Sequence, residues 1–174
     1  PMRNVLIVLI IFLLAICISV SLFVWEKKLE NKYAEAIQLG GEWLLNAQDE
    51  SFLRYKYDLK TGEYSIFQHP LRELGALWSI GKLAKYSGDV RYADLAQKGI
   101  RYFEQFFKVD TKNDFIYLNI APEEIKLGYS AFLILSLLEI DHAQKDYYLE
   151  KLANGILYQQ NKDGAFRTLF YSDE

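Results

Sequence analysis

The apolar residues divide the chain into one uninterrupted apolar run and a longer part with helical periodicity. Residues 4–25 carry no charged side chain, and at about 1.5 Å per residue a helix of that length crosses a hydrocarbon core of about 30 Å. Trp25 ends the run at the position of an interfacial aromatic residue. A cleaved signal peptide and a buried core helix are the alternatives, but the run is long and no small-residue cleavage site follows it. The pattern predicts an uncleaved transmembrane anchor at residues 1–26 and a separate domain at residues 27–174.

The flanking charges do not decide the orientation of this predicted anchor. Arg3 precedes the run, and Lys27, Lys28 and Lys32 follow it. Because the anchor resembles an uncleaved signal sequence, we expect a single-pass protein held in the membrane through residues 4–25, with its C-terminal domain outside the cytoplasm.

Three amphipathic helices in the second part share a spacing of tyrosine, six residues and glycine. Seven residues are about two helical turns, so the tyrosine and the glycine lie on one face. The intervals of 59 and 56 residues between copies predict an internal repeat. The three pairs are Tyr33 with Gly40, Tyr92 with Gly99, and Tyr148 with Gly155.

Two other helices alternate with these, and their middles are apolar nearly all round. They are predicted from about Pro70 to Tyr86 and from about Pro122 to Ile140, each with a proline where a first turn tolerates it. A helix that is apolar on every side is buried. The pattern therefore predicts an all-α domain of about five helices, in which antiparallel hairpins pair an outer amphipathic helix with an inner buried helix.

The connections between helices are alternately short and long. The turns at 87–89 and 141–144 are short, whereas those at 49–69, 108–121 and from 161 onward are long. Alternation around Thr61 and Gly62 predicts a small β-hairpin in the first long connection. In an antiparallel arrangement the long connections, with their short β-hairpins, collect where the inner helices begin. Long loops in a compact domain usually carry function.

This alternation, with a period near 55 residues, resembles the α/α toroids, which include six-hairpin glycosidases, sugar epimerases and polysaccharide lyases. Residues 159–166 (QQNKDGAF) are similar to the Q-x-x-D-G-x-F/W phrase that closes outer helices in that superfamily, and residues 47–52 resemble a degraded copy. Residues 52–58, followed by 71–75, are similar to toroids of the uronyl C5-epimerase type. The resemblance covers about residues 30–174 and implies carbohydrate chemistry.

A closed toroid has about twelve helices, so the predicted ring is incomplete. The chain is then expected to be a fragment, to be completed by a partner chain or by self-association, or to pack as a small open solenoid.

Composition narrows the classes of partner and cofactor. The net charge is −3 with mixed signs and no basic stripe, so we expect no nucleic acid partner. With one cysteine, inside the apolar run, and two histidines, neither a disulfide framework nor a Cys/His zinc site is predicted, and we expect no cofactor.

The candidate site lies at the long-connection end. Glycoside cleavage needs one carboxylic acid as proton donor and one carboxylate as base or nucleophile, and an arginine can grip the carboxylate of an acidic sugar. The catalytic candidates are Glu73, Asp58 and Asp163. The substrate-binding candidates are Arg54, Tyr55, Tyr57, His69, Arg72, Tyr129, Arg167 and Tyr171. Structural alternatives exist for several of them: a turn residue for Asp58 and Asp163, a loop packing residue for His69, and an ion pair between Arg72 and Glu73.

Two functions follow as expectations. The first is a membrane-anchored, extracytoplasmic module that processes a polysaccharide or glycoside by hydrolase, lyase or epimerase chemistry, with an acidic polysaccharide as partner. The alternative is a non-catalytic scaffold subunit that binds a glycan or a protein. Whether the domain is an enzyme stays open at this point. A terpene-processing toroid would need an Asp-rich motif, and none is present.

Overall fold

The computed structural model describes residues 15–21, 33–65, 67–120 and 125–170. The chain divides into two compact units, Pro1–Glu42 and Trp43–Glu174. The predicted boundary after residue 26 lies outside the described residues and stays a prediction. In the first unit, residues 15–21 are helical and exposed.

The predicted transmembrane helix is corrected by the structure. Within the described ranges, no helix is both long enough and apolar enough to cross a bilayer. The fold class that began with a transmembrane helix is therefore wrong on this structure, as is the single-pass membrane location with an extracytoplasmic domain. Positions 4–14 and 22–25 of the predicted anchor lie outside the described residues.

Five helices follow in the rest of the described chain. Helix α1 comprises residues 33–46. The others are α2 (Pro70–Ser87), α3 (Val90–Glu104), α4 (Leu127–Glu139) and α5 (Lys145–Tyr158). The connections and the segment after α5 form three antiparallel strand pairs: β1 (Tyr57–Asp58) with β2 (Glu63–Tyr64), β3 (Phe107–Asp110) with β4 (Phe115–Leu118), and β5 (Ile125–Lys126) with β6 (Leu169–Phe170).

Local sequence explains the hairpin formed by α2 and α3. Pro70 occupies the first turn of α2, where its missing N–H costs nothing. Gly88 ends the helix at φ 67°, a left-handed conformation that glycine adopts without strain. Asp89 then caps α3 by accepting a hydrogen bond from Arg91 N at 2.9 Å. The two caps make the connection short and the two helices antiparallel.

Helices α2 and α4 are parallel neighbours in the core. A Cβ placed on Gly128 would lie 3.0 Å from Leu71, and one on Gly75 would lie 3.7 Å from Phe132. Farther along, Gly81 of α2 approaches Ile140, the residue that follows the last residue of α4. Because the contacts advance together along both helices, the helices run in the same direction. Their N-terminal ends therefore lie side by side.

The start of the second inner helix differs from the prediction. Helix α4 begins at Leu127 because the two preceding residues pair with Leu169 and Phe170 as strand β5. Pro122, the predicted first residue, lies outside the described residues. A helical pattern cannot reveal that its first residues are used by a strand that arrives from the end of the chain.

The tyrosine–glycine repeat packs into the core in two of its three copies. Tyr92 and Tyr148 are buried, and so are Gly99 and Gly155. Tyr33 is 61% exposed, and a Cβ on Gly40 would meet nothing within 4 Å. The first copy keeps the helical spacing, and among the described residues both of its positions are exposed.

The outer helices α1, α3 and α5 end in equivalent closures. In each, a backbone N–H of the following connection returns to a carbonyl at the helix end. The three hydrogen bonds run from Arg54 N to Ala47 O at 2.8 Å, from Asn119 N to Phe106 O at 2.9 Å, and from Arg167 N to Gln159 O at 2.9 Å. Every long connection therefore folds back at the end of the domain where α2 and α4 begin.

Candidate functional site

An open cleft of about 220 Å³ lies where α1 ends and α2 begins. Its apolar floor is formed by Leu44, Ala47, Leu53 and Ala76. Its remaining wall carries Trp43, Arg54, Tyr55, Arg72 and Glu73. The structure thus brings together four of the predicted site residues, Arg54, Tyr55, Arg72 and Glu73, in one concave surface.

Arg72 presents an exposed cation at this cleft. Its guanidinium carbon lies 5.3 Å from the centre of the Tyr55 ring, within the range of a cation–π contact. In the described part of the chain, Arg72 forms no ion pair with a carboxylate, so the alternative of a structural pair with Glu73 is not realised. Its guanidinium N–H groups are therefore free of a competing protein carboxylate within that part.

Arg54 is already engaged by its own loop. Its Nε and Nη2 atoms donate to Gln48 O at 3.3 and 3.0 Å, and its guanidinium lies 4.5 Å from the centre of the Tyr64 ring. Two donors on one carbonyl fix the direction of the side chain. Arg54 therefore holds the turn at the end of α1 and adds positive charge to the cleft wall.

Glu73 is 3% exposed and supports the start of α2. Its Oε1 atom accepts from His69 N at 3.3 Å, and it also accepts from the amide nitrogen of Gln68 when that amide takes the orientation that satisfies both of its ends. Burial raises the pKa of Glu73, and the nearby Asp49 carboxylate raises it further, while the hydrogen bond from His69 N lowers it. A carboxyl group with a raised pKa at the wall of a cleft can hold a proton that an exposed glutamate would lose.

The raised pKa of Glu73 predicts a pH-dependent stability difference from Glu73→Gln. The folded-state pKa exceeds the unfolded value, so the contribution of Glu73 is fully present below about pH 4.3 and is lost as the pH rises through the folded-state pKa. We expect the free energy of unfolding of the wild type, minus that of Glu73→Gln, to fall as the pH rises from 4 to 8. Urea denaturation at each pH measures it; a difference that is flat or rises with pH would contradict the assignment.

Tyr55, which lines the cleft, packs on His69. Their ring centres lie 5.3 Å apart, and Phe67 contacts Tyr55 from another side at 6.0 Å. The Nδ1 atom of His69 is buried and has no hydrogen-bond partner in the described part of the protein. His69 does not line the cleft itself; it packs behind Tyr55 and precedes the first residue of α2.

The other two predicted carboxylates are turn residues, away from the cleft. Asp58 Oδ1 accepts from Lys60 N at 2.8 Å, and Asp163 Oδ1 accepts from Ala165 N at 3.0 Å. Both side chains are exposed, and neither lines the cleft. The structure therefore does not bring them to Glu73, and their short-range backbone contacts account for their positions.

The remaining predicted binding residues are dispersed. Tyr57 packs on Tyr64 within the β1–β2 hairpin, with ring centres 4.9 Å apart. Tyr129 is a core residue. Arg167 donates to Tyr158 O at 2.8 Å. Tyr171 lies outside the described residues.

Sequence reasoning missed two residues of this region. Trp43 lines the cleft and is 49% exposed. Its signal in the sequence was a tryptophan next to the apolar stripe of α1, on the solvent-facing side of that helix. Asp49 is the carboxylate that acts on Glu73. Its Oδ1 atom accepts from Phe52 N at 2.8 Å, which identifies it as a turn residue as well.

Comparisons with known proteins do not assign the chain to a family. No protein-family model matches the chain, and no curated protein matches it. In the described ranges, no three His, Cys, Asp or Glu side chains come together as a group that could hold a metal ion.

Proposed function

We propose that the domain is a saccharide-binding module, built as part of an α/α toroid, and that the cleft at the start of α2 holds an acidic sugar. The observation that carries the proposal is the exposed guanidinium of Arg72 at the Tyr55 ring, in a cleft that Trp43 and apolar side chains also line. An aromatic ring covers the C–H face of a sugar, and a guanidinium binds a carboxylate through two parallel hydrogen bonds.

The alternation of inner and outer helices supports the toroid part of the proposal. The parallel inner helices α2 and α4 lie side by side, and α3 and α5 pack against them. The closures at the ends of α1, α3 and α5 are equivalent, and the residue that returns to the helix end is Arg54, Asn119 and Arg167 in turn. The first closure lies beside the start of α2, whose Arg72 and Glu73 line the cleft together with Arg54.

Binding is favoured over cleavage by the carboxyl groups of the cleft. Glycoside hydrolysis needs two carboxyl groups on either side of the bond. Among the described residues that line the cleft, Glu73 is the single carboxylic acid. Its Oε1 atom is occupied by His69 N and Gln68, so its first role is to fix the start of α2.

Arg72→Gln tests the proposal directly. We expect this variant of the full chain to bind oligogalacturonate about tenfold more weakly than the wild type, because a charge-assisted hydrogen bond contributes about 1.5 kcal/mol or more. Isothermal titration calorimetry with oligogalacturonate, and with a neutral cello-oligosaccharide as comparator, measures the change. A neutral oligosaccharide should bind more weakly than the acidic one.

Arg167→Gln is the matched control. Arg167 also lies over a tyrosine ring, with its guanidinium carbon 5.6 Å from the centre of Tyr158, but it is outside the cleft. We expect this variant to keep wild-type affinity. Equal affinity of wild type and Arg72→Gln, or no binding of the acidic oligosaccharide by the wild type, would rule the proposal out.

A further inference from the structure

One stripe of α3 and the residues just beyond it form a second, shallow pocket of about 450 Å³. The stripe follows helical spacing and lies away from the buried stripe that holds Leu95, Gly99 and Phe103. It consists of Lys98, Arg101, Tyr102, Gln105 and Phe106, and the facing turn adds Glu50 and Ser51. The stripe thus combines two cations with two aromatic rings, a combination that can discriminate between ligands.

The charges of this pocket favour an anion. Lys98 Nζ donates to Asp49 O, which holds the lysine against the turn. Arg101 is exposed and, in the described part of the chain, makes no ion pair. Glu50 opposes these two cations with one negative charge. The charged side chains that line the pocket sum to about +1. Burial raises the pKa of Tyr102, and the carboxylates of Glu73 and Asp49 raise it further, so the exposed Arg101 is the cation that an anion would meet.

The aromatic residues form a half-buried wall beside the cations. The ring centres of Tyr102 and Phe106 lie 5.4 Å apart in an edge-to-face arrangement, and Tyr102 also packs on Phe52 at 6.2 Å. Because Phe52 is fully buried, Tyr102 is backed by the core and keeps a fixed orientation. Tyr102 and Arg101 line the same pocket, as Tyr55 and Arg72 line the cleft.

The cleft and the second pocket border the same turn. Ala47 and Leu53 line the cleft, Glu50 and Ser51 line the second pocket, and the turn between them closes with a hydrogen bond from Asp49 N to Phe52 O at 3.3 Å. The two surfaces therefore adjoin along residues 47–53, and one flexible chain that crosses this turn is the ligand that would contact both.

We infer that Lys98, Arg101 and Tyr102 form a second subsite for a carboxylate-bearing sugar on the same acidic saccharide chain. The inference rests on the function proposed for the cleft and adds the class of ligand: a polymer with several uronate units rather than a single acidic sugar. Arg101 pairs with the carboxylate of one unit, and Tyr102 covers its ring. Two weak contacts on one chain raise the affinity for an oligomer above that for a single unit.

The test compares short and long ligands of the same chemistry. Galacturonate and oligogalacturonates of increasing length are titrated into the wild type, Arg101→Gln and Arg72→Gln variants of the full chain. We expect Arg101→Gln to weaken binding of the longer oligomers about three- to fivefold and to leave the shortest bound ligand unchanged. Arg72→Gln should weaken binding at every length. Glu50→Gln should strengthen binding of the longer oligomers, because it removes the opposing charge.

A matched control separates a subsite from general electrostatic attraction. Lys112→Gln removes one exposed positive charge from the β3–β4 turn, outside the pocket. We expect it to leave the affinity for every oligomer unchanged. An equal loss in Lys112→Gln and Arg101→Gln, or no length dependence, would refute the subsite while leaving the cleft intact. Absence of binding by the wild type would refute both proposals, and binding that only Arg72→Gln weakens would refute this one alone.

Discussion

Phe52→Ala is expected to lower the free energy of unfolding by about 3 to 5 kcal/mol. Phe52 belongs to a connection between helices, yet its side chain is fully buried and packs on Tyr102 and Phe103. It also lies against Gly99 of α3, where the absent side chain leaves room for the phenyl ring. Alanine would leave a cavity that this backbone cannot fill without moving the turn. Urea denaturation of the full chain, followed by circular dichroism, measures the loss.

Phe67→Ala is the control for this prediction. Phe67 lies in the same connection, but its side chain is 63% exposed. We expect its replacement to change the free energy of unfolding by less than about 1 kcal/mol. Similar losses of unfolding free energy in both variants would contradict the prediction, because they would show that the buried position of Phe52 does not set its contribution to stability.

Gly99→Ala should destabilise the protein by about 2 to 3 kcal/mol, although alanine is the better helix former. A Cβ at this position would lie 2.6 Å from Leu77 Cδ1 and 2.7 Å from Phe52 Cε2. Both neighbours are fully buried, so neither side chain can move aside into solvent. Thermal and urea denaturation of Gly99→Ala beside the wild type measure the difference.

The matched variant for Gly99→Ala is Gly40→Ala, since both residues end a copy of the same repeat. A Cβ on Gly40 would meet nothing within 4 Å. Without a clash, the helix propensity of alanine should stabilise the protein by up to about 1 kcal/mol. The two substitutions should therefore have opposite signs. Destabilisation by both would mean that Gly40 has a packing partner that its exposure does not reveal.

The helices of the described chain were largely predictable from hydrophobic periodicity. The predicted helix at Pro70 begins at that residue and ends at Ser87, because its proline and the glycine that follows it are local signals. The hairpin around Thr61 and Gly62 forms as expected, with Tyr57 opposite Tyr64. The apolar run at residues 4–25 led to the wrong prediction of a membrane-spanning helix for the described residues.

The candidate site was predicted only in part. Arg72 and Glu73 were found because they follow Pro70 at the start of a helix, a position that the sequence marks. Asp58 and Asp163 were grouped with them through the expected meeting of loops. The structure separates them, because each aspartate satisfies backbone N–H groups of its own turn. Trp43 was missed since an exposed tryptophan on an amphipathic helix acquires meaning only when a second element approaches it.

The sequence by itself determined the helix spacing, the caps at Pro70, Gly88 and Asp89, and that the two apolar helices supply core residues; the structure buries one face of each rather than every side. These features depend on residues within one or two turns of each other, where periodicity and backbone preference act directly. Tertiary structure alone decided which carboxylate is buried, which arginine stays free of an ion pair, and which copy of the repeat enters the core. Those outcomes depend on contacts between residues far apart in the chain, such as Phe52 with Gly99 and Ile125 with Phe170.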